Sequence, residues 1–103
     1  MIRATVLYPS SATRFDYDYY IDKHTAMVNE LWKPLGLVSV EISKGISGLM
    51  PGSKPAYVTI ATLTFTSVEA LQAALAATGA QVMGDIPNFT DVQPEVQLSE
   101  ILS

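Results

Sequence analysis

The sequence predicts an α+β domain of the ferredoxin-like β-α-β-β-α-β type, a four-stranded antiparallel sheet with both helices on one face. Three observations predict it. Four β-rich stretches and two helical stretches alternate in that order. Right-handed crossovers then put both helices on the same side of the sheet. Finally, the strongest strand, Tyr57 to Phe65, carries no charge on either face. Its helix-free face would leave an apolar patch larger than monomers tolerate. A symmetric second copy is the simplest cover, and two sheets packed face to face form a barrel.

The elements follow in chain order. Ile2 to Tyr8 is rich in β-formers and is stopped by Pro9-Ser10-Ser11. Asp16 is placed to cap a helix, with Asp18 in the first turn, where the dipole favours an acid. The helix shows an apolar stripe of Tyr20, His24, Met27, Val28 and Leu31 and ends at Pro34 and Gly36. A second strand runs from about Leu37 to Lys44, and Gly45 to Pro55 reads as a loop or hairpin connection. After the Tyr57 to Phe65 strand, Thr66-Ser67-Val68-Glu69 matches a capping box, with Glu69 reaching back to the Thr66 amide. An alanine-rich helix with Leu71 and Leu75 inward follows. A second box, Thr78-Gly79-Ala80-Gln81, predicts a break, then a short helix carrying Val82, Met83 and Ile86 that Pro87 ends. Thr90 to Leu98 is expected as the last strand, at an edge or bulge because of Pro94, with Ser99 to Ser103 as a tail.

At 103 residues, the chain is expected to be one domain spanning 1–103. Its mean hydropathy of +0.26 is high for a short monomer, which also argues for a homodimer. A net charge of -4 and a pI near 4.6 give no electrostatic case for nucleic acid or an anionic membrane. Without cysteine there are no disulfides, thiol catalysis or thiolate metal sites. Met1-Ile2-Arg3-Ala4 does not open a signal peptide, and no apolar run approaches the ~20 residues of a membrane span. A cytoplasmic location is the default expectation.

His24 leads the candidates for chemistry, being the sole histidine and lying on an apolar helical stripe. Its ordinary pKa suits proton transfer near neutrality, and Tyr20 lies one turn earlier on the same face. The alternative is a core histidine bonded to a backbone carbonyl. One histidine and no cysteine cannot build a His-rich or thiolate metal site. Haem needs just one axial histidine, so counting leaves it open, although nothing else argues for it. The aromatic residues Tyr8, Phe15, Tyr17, Tyr19, Trp32, Tyr57, Phe65 and Phe89 are mostly expected in the core, with Tyr8 and Phe89 near strand ends, where pocket mouths form. Asp85, Asn88, Thr90 and Asp91 fit turn chemistry around Pro87, or else Asp91 or Asn88 orients His24 or a ligand carbonyl. There is no phosphate loop, paired-carboxylate spacing or Ser-His-Asp signature.

Three stretches together resemble the EthD family, named for ethyl tert-butyl ether degradation. They are Val6-Leu7-Tyr8-Pro9, the run from Phe15 to His24 with its Phe-Asp-x-x-Tyr-Tyr-x-x-x-His spacing, and Asp85-Ile86-Pro87-Asn88-Phe89-Thr90-Asp91. The resemblance spans nearly the whole chain, and its Tyr-Tyr-x-x-x-His element is the specific part. The family usually has proline two residues after the histidine; here Ala26 stands there, which should leave the helix unkinked. The resemblance implies a dimeric α+β barrel with a cavity between sheet and helices in each protomer. It also favours a functional His24.

The function expected is binding of a small hydrophobic or aromatic carbonyl compound, with cofactor-free isomerisation, dehydration or cyclisation. His24 and Tyr20 would be catalytic, and Tyr8, Met27, Phe65, Met83, Phe89 and Asp91 would bind substrate, with no metal and no cofactor. Ether cleavage would need an oxidising cofactor, and the sequence carries no motif for one. The main alternative is a non-enzymatic accessory or carrier protein in a degradative pathway; haem binding is the weakest of the three.

Overall fold

A computed structural model describes residues 1–103. It contains strands β1 (Ile2–Pro9), β2 (Leu37–Lys44), β3 (Tyr57–Phe65) and β4 (Glu95–Glu100), with helix α1 (residues 17–32) between β1 and β2 and helix α2 (Val68–Gly84) between β3 and β4. The sheet order is β2-β3-β1-β4, and every neighbouring pair is antiparallel. The expected α+β, ferredoxin-like arrangement is therefore observed.

Alternation along the strands decides which side chains meet the helices. In β3, Thr59, Ala61, Leu63 and Phe65 are buried, while Val58, Ile60, Thr62 and Thr64 between them are half-buried. Ala4 and Tyr8 of β1 share the helix side with the buried Val28, Trp32, Leu71 and Val82. The opposite face keeps Thr5, Leu7, Val58 and Ile60 half-buried at its centre, with exposed Glu41, Glu95 and Gln97 on the outer strands.

Gly36 is needed where α1 turns into β2. Its φ is 110°, and a Cβ there would lie 2.8 Å from the Ala70 Cβ. Its carbonyl accepts from the Thr66 amide at 3.0 Å. That bond occupies the group Glu69 was expected to reach, so the cap falls one residue later: Ser67, not Thr66, accepts from the Ala70 amide at 3.1 Å.

Of three further expectations, two are corrected and one is borne out. First, α1 is not regular, because Tyr20–Thr25 forms a π-helical turn. Second, the expected break is observed: Thr78 leaves helical geometry at φ -142° and ψ 17°, and α2 is kinked there. The Thr78 hydroxyl accepts from the Trp32 indole N–H at 2.8 Å, so the kink residue serves the core as well as the helix. Third, β4 starts at Glu95 rather than Thr90 and runs to Glu100. Pro94 has no N–H for a ladder, and Thr90 instead bridges to Phe15 while its hydroxyl donates to the Arg14 carbonyl at 2.8 Å.

Replacing Thr78 with valine keeps the shape but removes the acceptor of a buried indole N–H. A loss of about 1–3 kcal/mol is expected in the denaturant unfolding free energy of Thr78→Val. An unchanged midpoint would show that the Trp32 bond adds nothing.

Candidate functional site

Asp16 caps α1 by accepting from the Tyr19 amide at 3.0 Å, which fixes where the helix starts. The π turn then widens the helix across Tyr20–Thr25. The Tyr20 and His24 rings stack with centroids 5.3 Å apart and planes 17° from parallel. Such turns recur at functional positions in helices. Phe89 closes behind both rings, at 4.7 Å from each. Tyr8 and Phe15 complete an edge-to-face aromatic cluster with Tyr20.

His24 is held from the far end of α2. Its Nδ1 lies 2.8 Å from Asp85 Oδ2, and Asp85 caps the C-terminus of α2. Asp85 Oδ1 also accepts from the Tyr19 hydroxyl at 2.6 Å and from Asn88 Nδ2 at 2.9 Å. A carboxylate can only accept, so Nδ1 carries the proton and Nε2 is left with its lone pair. This is the geometry that fixes one imidazole tautomer and ring orientation.

Burial pushes the His24 pKa below its ordinary 6.5, with the hydrogen bond and charge of Asp85 opposing it. Burial alone would raise Asp85, but the donors Tyr19, Asn88 and His24 hold the carboxyl below its usual range. Burial raises Tyr8 to about 12. Tyr20 is pushed further up, again by burial first and then by the neighbouring Tyr8. At neutral pH the site thus presents a neutral imidazole beside two protonated phenols.

These groups border a cavity of about 300 Å³ between the helices and the sheet. Its wall is apolar, with His24 and Thr25 the lining residues that are not hydrophobic. No cluster of metal-binding side chains occurs.

The sequence-expected residues divide. Tyr8, Tyr20, His24 and Met83 lie on the cavity wall. Phe89 is buried behind Tyr20 and His24, and Phe65 is buried against Trp32, neither forming the wall. Met27 sits outside the cavity with its sulfur 3.7 Å from Gln81 Nε2. Asp91 accepts from the Thr13 amide at 3.0 Å, from its hydroxyl and from the Arg14 amide, and so ties a loop rather than orienting His24. The carboxylate that does orient His24 is Asp85, which the sequence presented as a turn residue. Asn88 acts on His24 through Asp85.

A family model described as the EthD domain matches residues 9–93. An EthD-like protein from Ralstonia eutropha JMP134 is 35% identical, with 99% of this chain and 92% of that chain covered and a TM-score of 0.91. An EthD family protein from Bacillus halodurans C-125 is 17% identical over 99% of both chains, at a TM-score of 0.67. A dimeric ferredoxin-like protein from an uncultured marine organism is 12% identical, covering 99% of this chain and 94% of that one, at 0.53. The last two share the fold. No curated protein matches the chain.

The His24 ring should titrate with a midpoint below 6.5 when its Hε1 resonance is followed by NMR. Asp85→Asn, which removes the opposing charge, should move the midpoint lower still. Because the folded pKa is depressed, the unfolded chain binds the extra proton first. Stability contributed by neutral His24 is therefore present above 6.5 and lost as pH falls below that value, until the folded pKa is passed. A midpoint above 6.5 would contradict the burial argument.

Proposed function

This chain belongs to the EthD family, and on that premise we propose that it binds a small, uncharged hydrophobic or aromatic carbonyl compound and moves a proton on it without a cofactor. The observation that carries the proposal is the His24–Asp85 pair at 2.8 Å, which leaves Nε2 as the basic atom of a histidine on the cavity wall. His24 Nε2 takes a proton from the carbon next to the carbonyl, and the electron pair moves onto the carbonyl oxygen. The Tyr20 or Tyr8 hydroxyl, kept protonated by burial, donates a hydrogen bond to that oxygen as charge develops. Asp85 stabilises the imidazolium, which returns its proton to another position of the enolate, so the balance closes as an isomerisation. Dehydration or ring closure differs in where the enolate electrons go next.

The apolar wall also suits a carrier that holds a hydrophobic intermediate with no reaction. Trp32, the sole tryptophan, lies on the wall and reports occupancy through its emission. Phenylacetone in D₂O serves as probe. Binding should change Trp32 fluorescence, and deuterium should enter the carbon next to the carbonyl faster than in buffer. His24→Asn should slow that exchange by about 10²–10⁴-fold while retaining the fluorescence change. Binding without exchange in the unmodified protein would leave the carrier function and overturn the enzyme.

A second copy is the cover proposed for the helix-free face, where Thr5, Leu7, Val58 and Ile60 are only half-buried. Light scattering at micromolar concentration should give twice the 11.1 kDa chain mass. A monomer would overturn the homodimer.

A further inference from the structure

The cavity is open to solvent on one side. Four of its hydrophobic residues are about half exposed: Leu75 at 45% and Met83 at 48% on α2, with Val96 at 54% and Leu98 at 48% on β4. The cause is in the sheet order. β4 is the edge strand, and Val96 and Leu98 lie on its helix side, opposite Val6 and Ala4 of β1. The result is an apolar slot between α2 and β4 on the open side of the cavity.

The polar and apolar ends of this space are set by strand register. Val96 pairs with Val6 and Leu98 with Ala4, whereas Tyr8 lies four residues beyond Ala4 on the same face. At about 3.3 Å per residue, the space from Tyr8 to Leu98 therefore runs for roughly 13 Å. No cation lies along it: α2 has no charged side chain from Ala70 to Gly84, and the charged residues of β4 are the acids Glu95 and Glu100. An anionic tail would be repelled. The slot is also on the helix side of the sheet, opposite the face proposed to meet a second copy.

We infer that the slot between α2 and β4, the exposed side of the cavity, is a subsite for the tail of the ligand, which is a neutral ketone carrying an alkyl chain. The carbonyl sits by Tyr8, Tyr20 and His24, and the chain leaves across Leu75, Met83, Val96 and Leu98. This rests on the proposal that the cavity binds a carbonyl compound.

Alkyl phenyl ketones from acetophenone to decanophenone, titrated against Trp32 emission, test it. Affinity should rise by about threefold to fourfold per methylene through the longest members of the series. In Leu75→Gln and in Val96→Thr the rise should flatten for the long members. The slope is read within each variant, so a general loss of binding does not imitate the result. If acetophenone and propiophenone themselves fail to bind, the cavity proposal falls. If they bind but affinity levels off early in the unmodified chain, or the steep rise survives both variants, the tail subsite is overturned. It is equally overturned if Leu98→Glu converts a dimer to a monomer by light scattering, which would assign the slot to a second copy.

Discussion

One contact between two distant parts of the chain organises the site: the hydrogen bond from His24 on α1 to Asp85 at the end of α2. It joins residues 61 apart in sequence and does three things together. It fixes the proton on Nδ1, it locks the ring plane, and it pins the end of α2 to the middle of α1. Asp85 can hold this position, at a helix C-terminus where a carboxylate is unfavourable, because Tyr19 and Asn88 supply further donors. Removing any one donor weakens a carboxylate that the other two still satisfy. Removing Asp85 itself leaves His24 Nδ1 with no protein acceptor.

The aromatic residues around this contact have a division of labour. Phe89 and Phe15 are packing, closing the cluster on the side away from the cavity. Tyr8 and Tyr20 pack equally tightly but also lie on the cavity wall. The π turn is what permits Tyr20 and His24 to stack while both remain on the wall, since a widened turn changes the angle between residues four apart.

Much of this was legible in the sequence, for reasons that differ by element. β2 and β3 match their expected ends because Gly36, Gly45 and Phe65-Thr66-Ser67 mark them and their interiors are β-branched. His24 and Tyr20 could be singled out because a lone histidine on an apolar stripe is conspicuous. Asp85 was not identifiable as its partner, because the contact depends on how two helices lie over one sheet, and a carboxylate before Ile86-Pro87 is equally a turn residue. The cap at Ser67 was missed for a related reason: Thr66 is claimed by Gly36, a contact between distant segments. The π turn has no breaker residue to announce it. Thr78 was visible as a break, yet its bond to Trp32 was not.

The sheet order has a consequence for how this chain reaches its folded state. β2 and β3 are neighbours in sequence and pair locally, but β1 pairs with β4 through Ile2 and Glu100, which spans nearly the full length. Closing so long a loop costs conformational entropy before the pairing returns anything, so the β1–β4 ladder belongs among the slow, late steps of folding. β4 is also the edge strand, bonded on one side alone. A strand with few neighbours and a late ladder is drawn from the low-stability end of a domain, where local opening is cheapest. Because β4 also supplies Val96 and Leu98 to the cavity wall, local opening of this strand and access to the cavity are coupled.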